Sequence, residues 1–294
     1  MSELMADRGV LEVEALPCWS GYVRVWPISG GIANRHYGVQ QADGQRFSAR
    51  LGLDLPQHGI MRFNEQAAAK AAAKIGVSPK VFYTAPGVMV CRLLPGRSLT
   101  AAEVRLPENL LRIAALLRRT HEDITQHLTG PLLAFWVFHV NRSYASLLQK
   151  SGAHITEMLP SLMELNDILE KRAGKVELAF THNDLRPETI FDDGARLWLS
   201  DWDFAGFNSP LFDLADLSVK SGLDAGEDLA LLTAYFGGSP PDFAAHATFR
   251  ALKCAALLRE ALSTALFQLY GADFHREGRT DDFLARLDFA VAEL

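Results

Sequence analysis

The chain has 294 residues, a formal net charge of −6 at neutral pH, 49% hydrophobic residues and 22% charged ones, the composition of a folded globular protein long enough for two lobes around a cleft. The acidic balance, without a basic stripe, excludes a nucleic-acid phosphate backbone as partner. Cys18, Cys91 and Cys254 are odd in number and lack metal-ligand spacing, so they read as free thiols of a reducing compartment.

From the start, Met1 to Pro17 mixes acidic residues with single apolar ones and is not expected to act as a signal peptide. No apolar run approaches the ~20 residues that span a bilayer, so a cytoplasmic protein with no membrane partner is expected. A strand at Tyr22 to Ile28 leads through Gly30, Gly31 and Asn34 into a second at His36 to Gln41. The Asp43-Gly44 pair then signals a hairpin to a third at Arg46 to Leu51. Two glycines between strands either form a turn or let backbone N–H groups approach a phosphate. An Ala-rich helix, Asn64 to Ile75, precedes strands at Lys80 to Thr84 and Val88 to Leu94, and Pro95-Gly96 ends this strand-rich part.

Beyond it the apolar period changes from two to about 3.6: Leu110, Ile113, Ala114, Leu117 and His121 share a helical face. His121, His139 and His246 are read as buried, hydrogen-bonded core residues and not ligands, because none has a second ligand at metal spacing. Further helices are predicted at Ala134 to Lys150, Met158 to Ala173, Phe212 to Ser221, Glu227 to Phe236, Ala244 to Tyr270 and Asp281 to Glu293.

The chemistry concentrates in Thr181-His182-Asn183-Asp184-Leu185-Arg186-Pro187-Glu188-Thr189 and in Ser200-Asp201-Trp202-Asp203-Phe204. Between them lies a hairpin with an Asp193-Gly194 turn, so Asp184 and Asp201 emerge at its two shoulders. Phosphoryl transfer uses such a pair: one carboxylate orients and accepts the proton of an attacking hydroxyl, the other holds Mg²⁺ on the phosphates.

These two motifs resemble the catalytic and metal loops of the kinase superfamily. The tail from Asp201 to Ala215, with Ala205-Gly206-Phe207-Asn208-Ser209-Pro210 inside it, is similar to that of the choline/ethanolamine kinase family, relatives of the aminoglycoside phosphotransferases. The resemblance implies an α+β, two-lobed protein-kinase-like fold. A small lobe, residues 1–95, would carry an antiparallel sheet and one helix and bind the nucleotide. A larger, mainly helical lobe, residues 96–294, would hold catalysis and substrate. It also implies ATP and Mg²⁺ as cofactors and a small amino alcohol, choline or ethanolamine, as acceptor. Aminoglycoside or thiamine kinases and a nucleotide-binding pseudokinase are the alternatives. A protein kinase fits less well, because no A-P-E-like segment follows Asp201.

Residue by residue, the resemblance makes Asp184 the proton acceptor and Asp201 a Mg²⁺ ligand. Thr189 stands where the family places a second metal-ligating Asn, and Asp203 is a further metal- or hydroxyl-orienting carboxylate. Arg186 is either solvated or neutralises the transferred phosphoryl group; His182 and Asn183 brace the loop. Gly30, Gly31 and Asn34 match a phosphate loop, Arg50 would pair with Glu65 beside the phosphates, and the backbone from about Cys91 to Leu94, with Cys91 and Leu93 foremost, would face the adenine. Trp136, Trp202 and Phe207, with Phe135, Phe204 and Phe212 nearby, are either core or a cation–π cage for an ammonium group. Lys220 falls where choline kinases of eukaryotes offer the cation an acidic residue. Asp184, Asp203, Asp213 and Asp216 together predict a negative cleft floor.

Overall fold

The computed structural model describes residues 2–28, 34–151, 154–270 and 280–294. Its first part is an antiparallel sheet of β1 (Val23–Ile28), β2 (Arg35–Gln41), β3 (Arg46–Leu51), β4 (Val81–Ala85) and β5 (Val88–Arg92), in the order β1-β2-β3-β5-β4. Strand alternation turns Tyr37 and Val39 on β2 and Phe47 and Ala49 on β3 to one buried face, in the register Tyr37 to Ala49 and Val39 to Phe47. The Asp43-Gly44 turn forms as expected, with Gly44 at φ 84°.

That face is covered by a helix the sequence reading left out, α1 (Ser2–Glu14), whose Val13 is fully buried with the sheet residues. A Cβ at Gly9 would lie 1.8 Å from the Tyr37 hydroxyl, so only glycine permits this approach. Trp19 locks the helix end by donating its indole N–H to the Val13 carbonyl at 2.8 Å and packing edge-on against Phe47.

The next helix, α2 (Arg62–Lys74), begins two residues before its predicted start. Its Ala68, Ala69, Ala71 and Ala72 bury themselves in the larger hydrophobic core, together with α4 (Pro107–Asp123) and residues of the helices beyond it. Hydrophobic packing therefore continues across Pro95-Gly96. Gly96 itself, at φ 91°, runs so close to the Asp192 carbonyl that a Cβ would stand 2.0 Å from that oxygen.

After β6 (Arg97–Ser98) and α3 (Ala101–Val104), the helical part comprises α4, α5 (Val137–Ser151), α6 (Leu159–Ala173), α7 (Pro210–Ser221), α8 (Ala225–Tyr235), α9 (Phe243–Leu269) and α10 (Thr280–Ala292). Its hub is α9, which packs against α5, α6, α7 and α10. The predicted start of α5 at Ala134 is displaced to Val137, because Phe135 N–H donates to the Phe207 carbonyl and Phe207 N–H to that of Leu133. Tertiary strand-like pairing thus overrides helix propensity there. Two small sheets are inserted, β7 (Ala179–Thr181) with β10 (Gly206–Asn208), and β6 with β8 (Ile190–Asp192) and β9 (Leu197–Leu199). The β8–β9 hairpin closes at Asp193-Gly194 as predicted, Asp193 Oδ1 accepting from the Ala195 and Arg196 N–H groups at 2.8 Å. The result is the expected α+β arrangement of a sheet-rich first part and a helical remainder. Among the described residues no helix is long and apolar enough to cross a membrane.

Candidate active site

The loop after β7 is organised by a carboxylate that sequence reasoning counted only as charge. Asp213, on the first turn of α7 and fully buried, accepts from His182 N–H at 2.9 Å and Asn183 N–H at 2.7 Å, with His121 Nε2 also 2.9 Å away. Burial works against its ionisation, yet these partners hold its carboxyl below the usual range. His121 is thereby the buried, hydrogen-bonded residue expected. By contrast His139 is exposed and His246 only half-buried, which corrects the core reading for both: their helix faces turn partly to solvent.

Asn183 sits at φ 63° and Asp201 at φ 68°, the described non-glycine residues in the left-handed region. Each such position costs on the order of 1–3 kcal/mol unless its surroundings hold it. For Asn183 they do: its Oδ1 accepts from Thr181 Oγ1 at 2.9 Å and Asn208 Nδ2 at 2.8 Å, and its Nδ2 donates to the Phe204 carbonyl at 3.1 Å. His182 braces the loop from the other side, its Nε2 2.8 Å from the Ser200 carbonyl next to Asp201.

Asp184 emerges from this loop with 2% exposure, and among the described residues three cations lie against it. Lys220 Nζ lies 2.6 Å and Arg259 Nη1 3.0 Å from Oδ1, and Arg186 Nε lies 3.1 Å from Oδ2. The Arg186 Nη2 also donates to Asp201 Oδ2 at 2.7 Å. One guanidinium thus spans the two carboxylates picked out from the sequence, and Arg186 is not the solvated residue of the alternative reading. Thr189 holds that arginine in place: its hydroxyl accepts from Arg186 N–H at 3.1 Å and donates to the Arg186 carbonyl at 2.9 Å. The hydroxyl assigned to a metal is committed to the main chain.

A second chain of charges crosses between the lobes. Glu65 receives both Arg50, as expected, and Arg62 at 2.8 Å, and Arg62 Nη1 continues to Asp203 Oδ1 at 2.7 Å. Asp203 Oδ2 accepts from Asn34 Nδ2 at 2.9 Å. Burial, then the charges of Asp201 and Glu65, push the Asp203 carboxyl well above its usual range against the pull of Arg62. Both of its oxygens are engaged, so the structure uses Asp203 and Asn34 as a clasp between the lobes. Gly30 and Gly31 lie outside the described residues. At the expected adenine edge, Cys91 is paired between Ser48 and Val81 and Leu93 N–H donates to the Arg46 carbonyl at 3.1 Å, so that N–H has a partner already.

The three aromatic residues chosen for a cage are each engaged elsewhere. Trp202 is 2% exposed, donates its indole N–H to Ser78 Oγ at 2.9 Å and packs on His182. Trp136 bonds to the Glu170 carboxylate, and Phe207 lies edge-on to Phe180. Trp202 is therefore core, a correction that follows from its satisfied N–H and lack of a free face. Phe204 and Phe135 instead lie beneath Arg259, its guanidinium carbon 4.6 Å and 5.6 Å from their ring centres.

Sequence reasoning missed Arg62, Arg259 and Glu260. Two adjacent charges inside the apolar run of α9 were the available signal for the last pair, and a basic residue in the first turn of α2, against the helix dipole, for Arg62. The expected negative floor is offset in part, since Lys220 and Arg259 pair with Asp184, Lys220 with Asp216 and Arg62 with Asp203. For Mg²⁺, which takes one or two carboxylates and fills its octahedron with phosphate oxygens and water, Asp201 fits: its side chain is 29% exposed and, among the described residues, only Oδ2 is paired. No group of three His, Cys, Asp or Glu side chains suited to a metal exists among the described residues.

A sheet-rich lobe clasped to a helical one, with two loop aspartates joined by an arginine at the junction, defines the kinase-like class of phosphotransferase folds. The family model for choline/ethanolamine kinase matches residues 25–224, and the chain belongs to that family. It is 28% identical over 204 residues to the protein LicA of Haemophilus influenzae, covering 66% of this chain and 57% of that protein's length. Among solved structures it is similar to a choline/ethanolamine kinase family protein of Mesorhizobium loti, at 26% identity, TM-score 0.67, and 98% and 94% of the two chains. LicA in complex with AMP shares the fold at 20% identity and TM-score 0.77, over 98% of each chain.

Proposed function

We propose that this protein is a cytoplasmic small-molecule kinase that transfers the γ-phosphate of ATP, in the presence of Mg²⁺, to the hydroxyl of a small alcohol. The observation that carries this reading is the Asp184–Arg186–Asp201 bridge, with contacts of 3.1 and 2.7 Å, in a member of the choline/ethanolamine kinase family. Asp184 accepts a hydrogen bond from the acceptor hydroxyl and takes its proton late in transfer. Arg186, pinned by Thr189, orients Asp184 and offers positive charge to the phosphoryl group in flight. Asp201 would hold Mg²⁺, which would supply charge screening of the phosphates. The Arg50–Glu65 pair positions the nucleotide phosphates, and the AMP complex of a fold relative supports an adenine nucleotide as donor.

Family membership supports a small amino alcohol, choline or ethanolamine, as acceptor. The inward Lys220 supports an uncharged alcohol instead. The test is ATP-dependent phosphorylation across a panel of both kinds of alcohol. Asp184→Asn should lower turnover by about 10²-fold or more with nucleotide affinity nearly unchanged, and Asp201→Ala should weaken Mg²⁺-nucleotide binding. Near-native turnover by Asp184→Asn would sink the mechanism, and nucleotide binding without transfer to any alcohol would leave a pseudokinase.

A further inference from the structure

Lys220 places an ammonium group where a cationic acceptor would look for carboxylates. Its Nζ lies 2.6 Å from Asp184 Oδ1, 2.8 Å from Asp216 Oδ2 and 3.4 Å from Glu260 Oε1, with the side chain 7% exposed. Arg259, 1% exposed, sits on the same Asp184 oxygen at 3.0 Å and on Glu260 at 2.5 Å. Its guanidinium also covers the faces of Phe204 and Phe135, the aromatic surface that would otherwise attract an ammonium. Carboxylates and ring faces alike are therefore engaged by the protein's own cations.

We infer that Lys220 and Arg259 fill the cation subsite from within, so that the acceptor is a small uncharged polyol and not a choline-like ammonium alcohol. This rests on the phosphotransfer reading above and narrows its acceptor. Among the described residues three carboxylates, Asp184, Asp216 and Glu260, face three cations, Lys220, Arg259 and Arg186, the last shared with Asp201, and burial raises Asp216 to about 7 despite the pull of Lys220 and Arg259, leaving it partly protonated at neutral pH. The cluster is close to neutral. An incoming ammonium would meet Lys220 and Arg259 at close range, and an incoming carboxylate would find both already paired. Hydroxyl groups suit the remainder: among the described residues Asp216 Oδ1 and Arg259 Nε are buried without a hydrogen-bond partner, the first able to accept from a hydroxyl and the second to donate to one.

The experiment compares wild type with Lys220→Met and with the double variant Lys220→Met/Asp216→Asn, which removes a cation and a carboxylate together in case the single change does not fold. Glycerol, ribitol, choline and ethanolamine are offered with ATP and Mg²⁺, and choline binding is followed by calorimetry in parallel. Wild type should prefer a polyol over both amines by at least about tenfold in kcat/KM, and a Lys220 variant should move that ratio toward the amines by at least about tenfold and gain measurable choline binding. Efficient choline turnover by wild type that either variant weakens or leaves alone overturns the inference while the phosphotransfer reading stands. Should no alcohol be phosphorylated, the phosphotransfer reading fails and the polyol acceptor with it, and calorimetry then decides the filled cation subsite by itself: choline binding gained on removing Lys220 upholds that subsite, and no gain in either variant overturns it.

Discussion

Replacing Asp213 by Asn tests whether one buried carboxylate builds the catalytic loop. The substitution keeps the shape, but one carboxylate oxygen becomes an NH₂ that cannot accept. Either the Asn183 N–H, 2.7 Å from Oδ1, or the His182 N–H, 2.9 Å from Oδ2, then faces a donor, and His121 loses its charged partner. Breaking a fully buried charge-assisted set costs about 3–5 kcal/mol. With an unfolding entropy of about 2.1 cal/mol/K per residue and 294 residues, 1 kcal/mol corresponds to roughly 1.6 °C. Calorimetry should therefore show Tm lower by about 5–8 °C. Turnover should fall too, because Asn183 at φ 63° relaxes once its N–H is released and carries Asp184 with it. A Tm within about 2 °C of wild type, with unchanged turnover, would refute the assignment of Asp213 as the organising group.

Thr189→Val should cost about 1–2 kcal/mol and reduce turnover, because both bonds of the hydroxyl to Arg186 are lost, whereas Thr189→Ser should stay close to wild type; equal melting of the Val and Ser forms would count against the bracing role. Arg62→Leu and Asp203→Leu should each destabilise strongly, while the double variant should recover at least about 2 kcal/mol of the summed loss, and strict additivity in the cycle would show that the pair is not coupled. His58 is buried and stacked on Phe267, and burial, with Arg259 nearby, lowers its pKa to about 4 from 6.5. The folded state thus disfavours the proton, so stability present above pH 6.5 is lost as pH falls toward 4, by up to about 3 kcal/mol. His58→Phe should flatten the fall in Tm between pH 7 and 4.5; parallel profiles for the two proteins would sink this.

Local signals carried far in this chain. The Asp43-Gly44 and Asp193-Gly194 turns appear where hairpin chemistry puts them, because an Asp-Gly pair satisfies the required backbone on its own. The change from period two to 3.6 beyond Pro95-Gly96 separated sheet from helices, and strand order with helix position brought Arg50 to Glu65 over 15 residues. By contrast α1 was invisible, since it is held by Gly9 on Tyr37 and by Trp19 on Phe47. The aromatic cage misled because a sequence does not tell which indole is satisfied inside a core, as Trp202 is by Ser78.

The order of chemical groups, Asp184 before Asp201 around a hairpin within a two-part α+β chain, was determined by the sequence itself, because turn residues and apolar period act over a few positions. Tertiary structure alone decided which charge meets which. Lys220 reaches Asp184 across 36 positions, Arg259 reaches it across 75, and Arg62 reaches Asp203 across 141. Coulomb pairing inside a low-dielectric core is set by distance in space, and those distances exist only once α7, α9 and the N-terminal sheet have packed.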